Sequence, residues 1–473
     1  MHHARHLING EWTDSARRTE SFNPATGKAL GTFADGGAEE ARAAITAART
    51  AFDTTDWARD RQLRARALFE LADRLAARRE EFITLLAREN GKVLAEAAFE
   101  IDLTVPKLRY YASLALSDHG SAAEVRPGLY SMTLREPAGV AAVIAPWNSP
   151  VVLAVRSFAP ALAAGCTVVM KLPGQTGLVN GLLSEVIAET ASLPAGVVNV
   201  FTESGNDGAP LLVSSPEVDV LSYTGSTVVG RIIMAAAAPT LKPLSLELGG
   251  KSPMLVFDDA DLDDVVPVLT KAVTTFTGQF CMTGSRILAQ RGIADELRRR
   301  MSDALRAVKV GPGDDPASEM GPMIDEANAR RVERMVDEAS EYATVLVRGE
   351  RDGAFLSPSL VEVAALDAPI VQREVFGPVA TFEVFDTEEQ AVARANATEF
   401  GLAASVWTRD VDRPLRVQRE LKAGTVWTNT WAVVHDMFEE GGFKQSGLGR
   451  LNGVRGLEEF QEVKHLVHAA PRS

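Results

Sequence analysis

Between Val140 and Leu248 the chain alternates short apolar runs with longer stretches of helical period, and this rhythm constrains its fold more than any other feature. Val140–Ala145, Thr167–Met170, Val197–Phe201, Val220–Tyr223 and Leu244–Leu248 read as strands. Val151–Ala163, Gly177–Thr190 and a segment from Ser226 read as helices. Short strands alternating with helices imply βαβ units and a parallel, doubly wound sheet, an α/β architecture. Ligands of such sheets sit beyond the carboxyl ends of strands, and Asn148, Lys171 and Gly225 each fall just after one.

A chain of 473 residues is too long for one compact core, so two or three domains are expected. Apolar residues make up 46% and charged residues 24%, the balance of a soluble globular protein. The formal charge of -14, with no obvious basic patch to offset it, argues against a nucleic-acid partner. The Arg-rich stretch from Arg59 to Arg79 is broken by acids at helical spacing and reads as a solvated helix face. The longest apolar region, Val140 to Met170, contains Pro146, Pro150, Arg156 and Pro160. A bilayer span needs ~20 consecutive, predominantly apolar residues, so no membrane partner is expected. Two cysteines make no disulfide framework, and the start Met1-His2-His3 lacks the layout of a secretory signal, which together predict a cytoplasmic home. No His/Cys spacing suggests a metal site, and the His2, His3, His6 group is read as terminal fraying.

Helical spacing dominates the first hundred or so residues, at Ala38–Phe52, Ala58–Arg78 and Glu80–Asn90. A second α/β region follows Gly249, with helices near Asp261–Phe276 and Asp295–Val308. Ser121–Arg135 and Glu459–His468 stand apart with strand-like alternation.

Three short stretches carry the chemistry: Pro146-Trp147-Asn148, Leu246-Glu247-Leu248-Gly249-Gly250-Lys251, and Phe276-Thr277-Gly278-Gln279-Phe280-Cys281. A thiol, a carboxylate and an amide are the parts needed to capture an aldehyde carbon and hydrolyse a thioester. Taken by itself, Cys281 reads as core packing or as a nucleophile, and Glu247 as a carboxylate paired with Lys251 or as a base whose proton affinity is raised by burial. Asn148 reads as a turn residue or an oxyanion donor, Lys171 as a solvated strand end or a cofactor contact. Cys166, at a helix-to-strand turn, reads as structural.

With these motifs in this order, from about Ile8 to about Lys464, the chain resembles the aldehyde dehydrogenase superfamily. The resemblance implies a Rossmann-like cofactor domain over residues 1–118 and 139–248, a second α/β catalytic domain over 249–436, and small β segments at 119–138 and 455–473 that build a homodimer or homotetramer. It also implies that Cys281 attacks an aldehyde, Asn148 stabilises the oxyanion, and Glu247 readies water for deacylation. NAD or NADP would be held by Trp147, Lys171, Gly174, Gln175, Gly225, Ser226, Gly230, Leu248, Glu374 and Phe376, with Ser222–Ser226 along the same cleft.

Two departures from the family pattern matter. Gly174 stands where NAD-preferring members carry a glutamate, so repulsion of a 2′-phosphate is lost and the site is open to NADP. Near the C-terminus, Phe438-Glu439-Glu440 replaces the usual Pro-Phe before Gly441-Gly442, putting acid where an aromatic residue often lines the aldehyde tunnel. Arg156 either faces that tunnel and meets a polar or anionic substrate end, or pairs with one of those acids. Phe280, Met282 and Trp431 complete the expected substrate pocket with Glu440, and lean it towards aromatic (hydroxybenzaldehyde-like) or small polar aldehydes. The alternatives are a semialdehyde dehydrogenase, a coenzyme A-acylating relative (which Glu247 argues against) and an inactive member of the family.

Overall fold

The computed structural model describes residues 2–470 of the chain. The C-terminal end of the expected 455–473 segment, Pro471 to Ser473, lies outside the described residues.

The predicted strands of the central region form the parallel core of an eight-stranded sheet. In space they run Leu244–Glu247, Val220–Thr224, Val140–Ile144, Thr167–Pro173, Val198–Glu203. Gly447–Leu448 adds antiparallel to the first, and His6–Ile8 to the last. Alternation along each strand decides which face a side chain covers. Ala141, Val143, Val168 and Met170 pack against helices Arg61–Ala77, Leu94–Ser117 and Pro150–Ala164. Val140, Ala142, Ile144 and Val169 point to the other face, under Ala41, Ala44, Ile45 and Ala48 of helix Ala38–Thr54. The strand order reverses between Val140–Ile144 and Val220–Thr224, which opens a crevice beyond their carboxyl ends.

A seven-stranded sheet built from residues 253–428, parallel apart from the edge strand Thr344–Val347, follows the same logic. Met254 and Val256 face one core, Leu255 and Phe257 the other. The segments with strand-like alternation become Ala122–Arg126, Leu129–Pro137 and Gln461–Ala469, an antiparallel three-stranded sheet with largely exposed faces. The expected fold class is therefore borne out.

The N-terminal region is less helical than its periodicity predicts. Five short strands occupy His2–Ala34, because pieces of three to six residues bury too little for a period to emerge. Helix Glu80–Asn90 is really Arg79–Leu85 continued by a wider turn at Leu86–Asn90, ended by Gly91 at φ 86°. Helix Leu94–Ser117, unpredicted, tolerates Pro106 inside it. Strand Thr167–Met170 extends to Pro173, so Lys171 lies within it, between Ile144 and Phe201.

Candidate active site

Cys281 sits on a loop whose shape is enforced from several sides. Phe276, Thr277 and Gly278 take left-handed conformations in succession (φ 53°, 56° and 67°). Left-handed backbone costs a non-glycine residue roughly 1–2 kcal/mol, so neighbours must compensate. The Phe276 N–H donates to Glu96 Oε1 at 2.8 Å, and the Thr277 hydroxyl donates to the Gly321 carbonyl at 2.9 Å. At Gly278 a side chain would collide with the Gly377 carbonyl, so glycine alone lets the Glu374–Pro378 segment approach. Gln279 ties the loop down through its amide, donating to Phe276 O (3.0 Å) and accepting from Ile324 N–H (2.9 Å).

Asn148 ends the turn between strand Val140–Ile144 and helix Pro150–Ala164. Its Nδ2 donates to the Gln279 carbonyl at 3.0 Å, and its side chain lines the same cavity as Cys281. One of the two amide hydrogens is thus engaged with the cysteine loop, and the other remains for a ligand.

Glu247 closes its strand, paired in register with Thr224 and Gly447. Its Oε2 lies 4.0 Å from Arg156 Nη1, and its Oε1 is buried without a hydrogen-bond partner. The alternative partner, Lys251, makes no pair with it: the Lys251 Nζ has no hydrogen bond among the described residues. Burial pushes the Glu247 carboxyl up to about 7; Glu440 adds to the rise, while Arg156 and Arg450 oppose it. Burial likewise pushes the Cys281 thiol up to about 12, with Arg156 favouring the thiolate and Glu247, Glu374 and Glu440 disfavouring it. The resting thiol is therefore protonated.

A cavity open to solvent lies in front of Cys281. Phe280, Met282, Arg156 and Glu440 line it as expected, with Arg156 Nη1 3.4 Å from Glu440 Oε2. Both alternatives for Arg156 therefore hold together: it faces the cavity and it pairs with acid. One expectation needs correction. Trp431 stands behind the wall, donating from Nε1 to Met282 O (3.0 Å) and meeting the Phe280 ring edge-on at 5.9 Å. Glu439 turns away and accepts from Arg455 N–H at 3.4 Å.

Sequence reasoning missed the far wall: Phe99, Leu103 and Lys107, with Val152 and Asp436. The first three recur every fourth residue along helix Leu94–Ser117, so one face presents them in a row. That spacing was the available signal, hidden because the helix went unpredicted.

On the opposite side of Cys281, the Gly250 N–H donates to Glu374 Oε1 at 3.1 Å. Glu374 is lifted to about 7 by burial, against Lys251 and Arg331. Phe376, also left-handed (φ 51°), meets Trp147 edge-on at 5.6 Å. Ser226 caps helix Thr227–Ala237 by accepting from Val229 N–H (3.3 Å), with Gly225 before it and Gly230 packed on Leu248. Lys171 is half-buried, makes no ion pair among the described residues, and is lowered by burial. Gly174 and Gln175 follow in a single helical turn, Gly174 against Ser204. Ser222 departs from expectation, turning inward to the Ser157 hydroxyl at 3.0 Å. A lysine without an ion-pair partner, though within the field of Glu203 and Asp35, a capped helix start and two edge-on aromatic rings at the sheet's reversal point suit a nicotinamide dinucleotide.

A thiol, an amide donor and a buried carboxylate thus meet between a dinucleotide-type crevice and a largely apolar cavity. The aldehyde dehydrogenase family model matches residues 12–466, and the chain belongs to that family of NAD(P)-dependent enzymes. It is similar to betaine aldehyde dehydrogenase of Bacillus subtilis (strain 168), 36% identical with 97% of this chain and 96% of that one covered. It is also similar to an NADP(+) succinate-semialdehyde dehydrogenase of Escherichia coli (strain K12), at 37% identity with 97% and 96% covered. Its structure superposes on the crystal structure of betaine aldehyde dehydrogenase from Staphylococcus aureus in complex with NAD+, at a TM-score of 0.96 and 36% identity, covering 99% of this chain and 95% of that one. No helix among the described residues is long and apolar enough to cross a membrane, and no metal-ligating cluster occurs among them.

Proposed function

We propose that this enzyme oxidises an uncharged aldehyde, aromatic or short and apolar, to its carboxylate through a thioester on Cys281. The observation that carries the substrate class is the charge balance of an otherwise apolar cavity. Each cation at its wall already has a carboxylate: Arg156 has Glu440, and Lys107 has Asp436 at 2.6 Å. Glu100 in turn pairs with Lys92. A substrate carboxylate would enter with no free cation to meet it, and burying an unpaired charge costs several kcal/mol. Phe99, Leu103, Phe280 and Met282 offer apolar and aromatic contact instead.

In this reading the Cys281 sulfur bonds to the carbonyl carbon while its proton passes to solvent water in the cavity, the carbonyl π bond opens to an oxyanion, and the spare Asn148 N–H meets that oxyanion. Trp147, Lys171, Gly174, Gln175, Gly225, Ser226, Gly230, Leu248, Glu374 and Phe376 hold the dinucleotide, which when bound supplies the hydride acceptor that makes a thioester possible. Glu247, with Oε1 unengaged, then takes a proton from the water that attacks the thioester carbon. Transfer to coenzyme A is disfavoured by the same carboxylate. Gly174 itself carries no acid to repel a 2′-phosphate, which supports use of NADP+ as well as NAD+. Both cysteines are unpaired, which supports a reducing cytoplasm. The exposed three-stranded sheet supports assembly into a homodimer or homotetramer.

The test is initial rate with NAD+ and NADP+ against benzaldehydes, straight-chain aldehydes, an omega-carboxylate semialdehyde and an amino aldehyde. Uncharged aldehydes should exceed the semialdehyde in kcat/KM by at least about tenfold, about 1.4 kcal/mol. A preference for the semialdehyde would overturn the substrate class.

A further inference from the structure

Arg156 is buried on helix Pro150–Ala164, and its guanidinium meets oxygens from three separate segments. These are Glu440 Oε2 at 3.4 Å, Thr224 Oγ1 at 3.1 Å and Glu247 Oε2 at 4.0 Å. Glu440 is itself held, its Oε2 accepting from Asn452 Nδ2 at 2.9 Å. Asn452 Oδ1 accepts from Lys107 Nζ at 2.7 Å, and Lys107 also reaches Asp436. A continuous polar chain therefore runs from Glu247 to the cavity wall formed by Lys107 and Asp436. If Arg156 swung out to meet a substrate anion, it would strand Glu440 and Glu247 as buried carboxylates.

We propose that Arg156, clamped by Glu440, is a positioning residue for Glu247: it governs when that carboxylate can accept a proton during deacylation, and Glu440, not the substrate, is its partner. The inference rests on the reading of Glu247 as the deacylation base. Four charged groups act on Glu247, Arg156 from the helix and Glu440, Arg450 and Glu459 from the C-terminal segment, while the protonated Cys281 thiol faces it from its loop. Among them Arg156 is the strongest influence favouring the carboxylate. Neutralising Arg156 leaves burial and two acids against Arg450 alone, so Glu247 holds its proton to higher pH. Neutralising Glu440 removes a like charge, so Glu247 loses its proton at lower pH, and Arg156 keeps only Glu247, at 4.0 Å, as its acidic partner.

The experiment follows an uncharged aldehyde from pH 5.5 to 9 in the wild type and in Arg156→Gln, Arg156→Lys, Glu440→Gln and Glu247→Gln. Two rates are read: the burst of reduced cofactor, and the decay of acid-quenched acyl-enzyme. The burst should persist in every variant, because acylation does not need the base. The acid limb of decay should rise by about one pH unit in Arg156→Gln, slowing deacylation about tenfold on the acid side. It should stay near wild type in Arg156→Lys and fall in Glu440→Gln, where KM for an omega-carboxylate aldehyde should also fall. An unmoved limb in Arg156→Gln, or a defect confined to the KM of carboxylate-bearing aldehydes, overturns the proposal. Should Arg156→Gln fail to fold, Glu440→Gln decides the question: a downward shift supports the clamp and no shift overturns it. Normal acyl-enzyme decay in Glu247→Gln would instead remove the base assignment, a distinct failure.

Discussion

Replacing Asn148 separates two jobs that one amide is positioned to do. Its Nδ2 makes a 3.0 Å hydrogen bond to the Gln279 carbonyl, which steadies the Cys281 loop, and its second N–H is free to meet the oxyanion. A buried neutral hydrogen bond contributes about 1 kcal/mol to stability, whereas an oxyanion donor is worth about 2.7–4 kcal/mol in the transition state. The loop has other anchors in Gln279, Thr277 and Glu96, so losing one bond leaves it largely in place. Asn148→Ala should therefore lower stability by about 1 kcal/mol yet slow acylation by about 10²–10³-fold. Asn148→Asp is the sharper variant: it keeps the volume, removes both donors and sets a carboxylate against the Gln279 carbonyl, so it should be at least as slow. The burst rate of reduced cofactor reports acylation, and urea unfolding midpoints report the anchor. A loss in burst rate below about threefold, or one no larger than the stability loss explains, would refute the oxyanion role.

Three further outcomes are expected from the same geometry. Glu247 is ionised above about 7, so deacylation should fall as pH drops through that value, about tenfold per unit below it; a flat profile from pH 6 to 8 would contradict this. Gly174→Ala should collide with Ser204 Oγ, costing about 1–3 kcal/mol and weakening binding of both NAD+ and NADP+ in titrations, with recovery in the Gly174→Ala/Ser204→Gly double variant. The fully buried Arg286 meets Glu383 through two 2.8 Å hydrogen bonds just beyond the cysteine loop. Glu383→Ala should cost about 3–5 kcal/mol by urea unfolding, whereas Arg286→Met/Glu383→Leu should recover most of it.

The parts of this molecule legible in its sequence are those where a repeated pattern meets a packing demand. Strand Val140–Ile144 and its neighbours are covered on both faces, so their residues are apolar throughout and the rhythm is plain. Cys281, Asn148 and Glu247 stand out because each interrupts apolar surroundings with a chemistry-bearing group at the end of a strand or in a glycine-rich loop. What stayed hidden depends on distant segments meeting. Arg156 and Glu440 were each legible as pocket residues, but that Arg156 both faces the cavity and pairs with Glu440 depends on residues far apart in the chain. Trp431 was placed in the wall on its size, but its indole N–H is satisfied by the Met282 carbonyl, and that bond holds the ring behind the loop. The strands of His2–Ala34 escaped for a simpler reason: three residues are too few to show a period.

The central claim is that the acyl group passes through Cys281 and leaves with the help of Glu247. The most direct measurement is intact-mass and peptide mapping of Glu247→Gln, acid-quenched after mixing with a benzaldehyde and NAD+. The account predicts an adduct equal to the aldehyde less two hydrogens, on the peptide bearing Cys281 and absent from Cys281→Ala. No adduct together with sustained acid formation, or an adduct on Cys166 instead, would contradict it.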